Sequence, residues 1–117
     1  MIHEEKKIGK IIEELTMFFF TIKADEIHSG ISRDGNQVII DFEANYDADY
    51  AYKLEGLEQY LNGEKNEGME DFYWELAGSG DPGETSQLLL VGMMIDRADI
   101  QVQPEKVKLR LYKELLL

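Results

Sequence analysis

Two stretches of strict alternation constrain this chain most. Residues 37–44 set Val38, Ile40, Phe42 and Ala44 against Ile39, Asp41 and Glu43. Residues 107–112 repeat the pattern, with Val107, Leu109 and Leu111 alternating with Lys108, Arg110 and Tyr112. Successive side chains of a strand point to opposite faces, so each stretch reads as a strand with one face to bury. Each also has a neighbour and a turn. Residues 26–32, with Ile27 and Ile31 pointing one way and His28 the other, lead through Arg33-Asp34-Gly35-Asn36, where Asp-Gly suits a hairpin that needs positive φ. Ala98-Asp99-Ile100-Gln101-Val102-Gln103 leads through Pro104-Glu105-Lys106 into the last strand. Two hairpins with one apolar face each demand a layer of helices.

The helical segments are present. Ile8, Ile11, Ile12, Leu15, Phe18, Phe19 and Ile22 recur at spacings of three and four and predict a helix over 4–22, buried on most sides at Phe18-Phe19-Phe20. Tyr50, Leu54, Leu57 and Leu61 form a helical stripe ended by Asn62-Gly63. Met69, Phe72, Tyr73 and Leu76 predict another short helix ended by Gly78. Asp81, Pro82 and Glu84 form the start of a capped helix that carries the apolar run Leu88–Ile95. The expected fold is an α/β two-layer sandwich. Helices 4–22 and 82–96 cover one face of a mixed four-stranded sheet, and two short acidic helices occupy 48–77.

Charge narrows the partners. The net charge is −12, and residues 41–86 alone hold thirteen acids and two bases. That surface repels nucleic acid and suits a basic protein partner or a cation. The 117 residues bound one domain, and the absence of cysteine excludes disulfides, thiolate metal sites and thiol nucleophiles. Met1-Ile2-His3-Glu4-Glu5-Lys6-Lys7 does not read as a signal peptide, and no apolar run is long enough to span a membrane, so a cytoplasmic protein is expected. Self-association as a homodimer is compatible with all of this.

The order helix, two strands, acidic helices, helix, two strands resembles the Bergerat-type (GHKL, histidine-kinase-like) ATP-binding fold. Ile12-Glu13-Glu14-Leu15-Thr16-Met17-Phe18, running through Ala24-Asp25-Glu26-Ile27 into the Asp-Gly hairpin, is similar to that family's first motif helix and following strands. Ser86-Gln87-Leu88-Leu89-Leu90-Val91, with Ile100-Gln101-Val102 and Val107–Leu111, is similar to its last motif helix and closing hairpin. The resemblance implies a glutamate that activates water at Glu13, an acid near the adenine at Glu43, and phosphate-facing glycines at Gly78 and Gly80. This chain departs from it at each motif. Met17 stands where the family has a magnesium-binding asparagine, and a thioether is a poor ligand for a hard cation. The glycines expected after Glu43 are missing, and Gly78-Ser79-Gly80 lies several residues early. The resemblance therefore implies a degenerate scaffold, with ATP retained only as an alternative ligand resembling that of anti-sigma-factor kinases. An unrelated small α+β domain is the remaining reading.

No other chemistry assembles from the sequence. Asp41, Glu43, Asn45, Asp47 and Asp49 place an oxygen at every second position, but Tyr46 and Tyr52 fall where a calcium loop needs glycine and glutamate. Gly78–Gly83 lacks the lysine of a P-loop. His3 and His28 have no nucleophile at a local spacing. The feature with most functional content is the crowd of aromatics in the acidic middle, where Tyr50, Tyr60, Tyr73 and Trp74 are the candidate interface. The sequence thus reads as a non-catalytic regulatory or interaction module with no metal and no cofactor.

Overall fold

The computed structural model describes residues 4–63 and 84–116. Over these residues it is a small α+β fold with a four-stranded antiparallel sheet and three α-helices. The elements are α1 (Glu4–Thr21), β1 (Ile27–Asp34), β2 (Gln37–Asn45), a 3-10 helix (Ala48–Leu54), α2 (Leu57–Asn62), α3 (Glu84–Met94), β3 (Arg97–Gln103) and β4 (Lys106–Glu114). The short helix expected around Met69–Leu76, the Asp81–Glu84 cap, Gly78, Gly80, Tyr73 and Trp74 lie outside the described residues or their described side chains.

Both hairpins form where the turn residues require. Gly35 takes φ +62° at the first position of a two-residue turn between Asp34 and Gln37. At the second turn Pro104 is followed by Glu105 at φ +63°, as a type II turn demands at its second central residue. The sheet order is β1-β2-β4-β3, with every neighbouring pair antiparallel, so the expected mixed sheet is corrected. The helical connection does return the chain so that β3 runs in the same direction as β2. However, β4 folds back into the gap between them, and no two parallel strands become neighbours.

One face of this sheet is apolar and covered. Val38, Ile40, Phe42 and Ala44 of β2 and Val107, Leu109 and Leu111 of β4 are all buried, as the alternation predicts. They join a single core with Ile11, Leu15, Phe18, Phe19 and Ile22 from the α1 side and Leu88, Leu90, Val91 and Met94 of α3. The Phe19 ring meets the Phe42 ring at 5.3 Å, and Phe18 packs edge-on to Phe19 at the same distance. Each such side chain contributes about 1.5–3 kcal/mol on burial. α1 stops in a Schellman motif: Ala24 N–H donates to Phe19 C=O and Lys23 N–H to Phe20 C=O, with Lys23 at φ +68° where glycine is usual.

Two helical expectations change. The 48–62 stripe is not one helix, because the chain breaks at Glu55-Gly56, where Gly56 adopts φ +106°. Leu54, Leu57 and Leu61 still reach the core because the break preserves their side. Phe20 is 54% exposed rather than buried, while Phe18 and Phe19 take the buried directions of the helix.

α2 and α3 approach so closely that a Cβ on Gly92 would lie 1.9 Å from the Tyr60 carbonyl oxygen. Gly9 on α1 has nothing within 4 Å of the same position. Gly92→Ala is therefore expected to lose about 3 kcal/mol by forcing the helices apart. Gly9→Ala is expected to gain about 0.5–1 kcal/mol from helix propensity. Urea denaturation of both variants checks the pair, and equal effects would contradict this packing.

Candidate functional site

The open face of the sheet is an organised polar surface. Three rows cross its strands. His28, Glu43, Lys108 and Gln101 form one row; Gly30, Asp41, Arg110 and Asp99 the next; Ser32, Ile39, Tyr112 and Arg97 the third. Residues directly opposite on neighbouring strands interact, and here opposite charges alternate. Arg110 grips Asp41 with two hydrogen bonds, 2.7 Å from Nε and 3.3 Å from Nη2. Lys106 Nζ pairs with Glu43. That hydrogen bond lowers the Glu43 carboxyl below its ordinary value and raises the Lys106 ammonium above its own. The Arg97 guanidinium lies 3.6 Å from the centre of the Tyr112 ring, and Tyr112 OH donates to Asp99 at 3.0 Å.

Gly30 leaves a gap in this face. A depression of about 370 Å³ lies over it, lined by His28, Asp41, Glu43 and Lys108 among others. A second, of about 310 Å³, is lined by Asp99, Gln101, Arg110 and Tyr112. The acids and bases around both largely neutralise one another. Ser29 and His28 point to opposite faces, and Ser32 stands about 13 Å along the strand from His28, beyond proton-transfer reach. The face can bind through charge and hydrogen bonds, and neither serine of β1 lies within proton-transfer reach of His28.

The residues nominated from sequence do not converge. Glu13 is exposed on α1 and pairs with Lys10 at 3.3 Å. Glu43 is on the open sheet face, whereas α1 packs on the other through Phe19 and Phe42. Glu43 borders the depression over Gly30 and another beside Lys106, and Glu13 borders neither. Gly78 and Gly80 are not among the described residues. Tyr50 and Tyr60 are part-buried and pack against the core, while Tyr73 and Trp74 are not described.

The acidic series from Asp41 is dispersed as well. Asn45 Oδ1 accepts from the N–H groups of Asp25 and Glu26, and Asp47 Oδ1 accepts from Asp49 N–H to cap the 3-10 helix. No group of three metal-type ligands forms among the described residues, and no helix there is long and apolar enough to cross a membrane.

Sequence reading left one aromatic unnominated and missed one side chain that organises the periphery. Tyr52 belongs to the crowd of aromatics in the acidic middle but not to the four nominated there, and it is 60% exposed. Asn62, read only as a helix end, pairs with the β3 backbone: its amide donates to Ala98 C=O at 2.8 Å and accepts from Ala98 N–H at 2.7 Å. Its place after a helical stripe gave no sign of a strand partner 36 residues away.

Buried charge, where catalysis is often found, is accounted for by ion pairs. Glu14 meets Lys10 at 2.7 Å. Lys113 lies 3.7 Å from Glu4, which also accepts from Leu116 N–H at 3.0 Å and pairs with Lys7 at 2.7 Å. These bonds tie the start of α1 to the end of β4. Burial alone would raise the Glu4 carboxyl, but the hydrogen bonds from Lys7 and Leu116 and the Lys113 and Lys7 charges outweigh it and lower the value.

No protein-family model matches the chain, and no curated protein matches it.

A depressed carboxyl stabilises the fold above its unfolded value of about 4.3, and that contribution is lost as pH falls through the folded value. Glu4→Gln should thus lower stability at pH 7 by about 1–2 kcal/mol. The gap to the parent chain should shrink progressively below about pH 4. Urea titrations across pH measure it, and a gap that stayed constant into acid would exclude the carboxylate as its source.

Proposed function

We propose that this chain is a non-catalytic regulatory or protein-interaction module on a Bergerat-like scaffold, binding a basic protein partner through its acidic, aromatic segment. Support for the scaffold comes from the order of elements. It also comes from α1 and α3, which pack against each other and share one core with the inner sheet residues, as two core helices on one face require. The antiparallel sheet is the feature that the resemblance did not anticipate.

The observation that carries the functional reading is Tyr52. Its neighbours Tyr46 and Tyr50 turn inward, and Tyr46 OH donates to Gln103 C=O at 2.7 Å. Tyr52 instead points to solvent in a segment where Asp47, Asp49, Glu55 and Glu58 are all exposed. An arginine or lysine of a partner can lie over that ring while the carboxylates take its charge. The reading needs no nucleotide, metal or other cofactor, and the cysteine-free chain suits a cytoplasmic setting.

Thermal melts with millimolar Mg-ATP and Mg-ADP separate this reading from a nucleotide-binding one. No shift is expected. A ligand at 100 times its Kd adds about 2.7 kcal/mol, so a rise of about 5 °C or more would replace the proposal with nucleotide binding. The surface is tested by immobilising the parent chain and Tyr52→Ser side by side. The variant should melt within about 2 °C of the parent, because the ring is largely exposed. It should fail to retain a basic protein that the parent holds at low salt and releases at high salt. Identical retention by both would remove Tyr52 from the interface.

A further inference from the structure

We infer that the free edge of β1 pairs antiparallel with the β1 edge of a second copy of this chain, joining the two sheets across a two-fold axis at Ile31. This inference stands apart from the proposed function, since it uses neither Tyr52 nor the acidic segment.

The two edges of the sheet are treated differently. At the β3 edge, Asn62 occupies the outward N–H and C=O of Ala98, and α2 lies alongside. At the β1 edge, every residue from His28 to Asp34 is exposed. Exposed edges are templates for pairing, and proteins usually blunt them with proline, lysine or a bulge. β1 contains neither residue, and its register with β2 runs without a bulge from Ile27 opposite Ala44 to Asp34 opposite Gln37.

The backbone groups available at this edge follow from the alternation of an antiparallel ladder. Asn45 N–H donates to Glu26 C=O at 3.2 Å, which makes Glu26 and Asn45 a hydrogen-bonded pair. His28, Gly30, Ser32 and Asp34 therefore turn their backbone groups toward β2. Ile27, Ser29, Ile31 and Arg33 turn theirs outward. A second β1 must meet these outward groups, with inner faces on the same side of the joined sheet.

Setting Ile31 opposite the partner's Ile31 satisfies both conditions. Ser29 then stands opposite the partner's Arg33 and is hydrogen-bonded to it through the backbone, giving about six main-chain bonds across the axis. Side chains agree with this register. Ile31 is an apolar residue 55% exposed on the inner face, and at the axis it covers its own copy. On the outer face, Asp34 stands opposite the partner's His28, and no like charges meet. Sliding the pair so that Gly30 lies on the axis would set Glu26 opposite the partner's Asp34, a repulsive pair. The strand itself carries one base and one acid, so the acidity of residues 41–86 is not concentrated at this contact.

The test is the mass of the full chain by sedimentation equilibrium over a concentration series. The expected result is reversible association to twice the 13.5 kDa chain mass. Ser29→Pro removes only an outward N–H, and Ile31→Lys sets like charges on the axis. Each should weaken association by at least about tenfold with the circular dichroism spectrum unchanged. Val102→Lys, on the β3 edge, should leave it intact. The register is read with Ile31→Cys, which gives the cysteine-free chain one thiol, and a short bis-maleimide. Ile31→Cys should cross-link to dimer, and Val102→Cys should not. The inference is overturned by a parent chain that stays monomeric throughout the series. It is equally overturned if folded Ile31→Lys associates like the parent, or if Val102→Cys cross-links in place of Ile31→Cys.

Discussion

The central pair of strands, β2 and β4, governs the rest of this structure. Their inner side chains form an unbroken apolar panel from Val38 to Ala44 and from Val107 to Leu111, all buried. Because the outer positions of the same strands carry Asp41, Glu43, Lys108 and Arg110, only one side can be covered without stranding charge. Helix α1 meets that side through Phe19, with Phe18 edge-on to it, and α3 adds Leu88, Leu90, Val91 and Met94 to the same core. The hairpin partners β1 and β3 then fall to the edges.

That arrangement also explains why the candidate chemistry dissolves. A single strand sends alternate residues to opposite environments, so acids spaced by two in sequence share a face only while the strand continues. Asp41 and Glu43 do share one, and they meet Arg110 and Lys106 there. Past Asn45 the chain leaves the sheet, and Asp47 becomes a helix cap. Glu13 belongs to the solvent side of the helix layer. The buried Lys113 belongs to a structural clasp with Glu4 that closes the α1 start onto the end of β4.

The two sheet edges form a second contrast. Asn62 imitates a neighbouring strand for one residue of β3, using both ends of its amide. Nothing equivalent lies along β1 among the described residues. A four-stranded sheet with one edge occupied at Ala98 and the other bare among the described residues has an unequal demand for partners, and the proposed two-fold pairing follows from that inequality. The acidic 3-10 segment, with Tyr52 outward, is a separate surface of different chemistry.

Local periodicity made much of this legible. The alternation of 37–44 and 107–112 gave the strand faces correctly, the three-four spacing of Ile8 to Ile22 gave α1, and the Asp-Gly and Pro-Glu turns gave both hairpins. These are properties of short segments, set by backbone geometry and by the sign of φ at one or two residues. Only the tertiary structure decided the rest. It set β4 between β2 and β3, making the sheet antiparallel. It also left Phe20 and Ile31 exposed, brought Gly92 against the Tyr60 backbone, and gave Asn62 its place beside Ala98. Each of these depends on which distant segment arrives alongside, and a pattern within one segment carries no information about its neighbour.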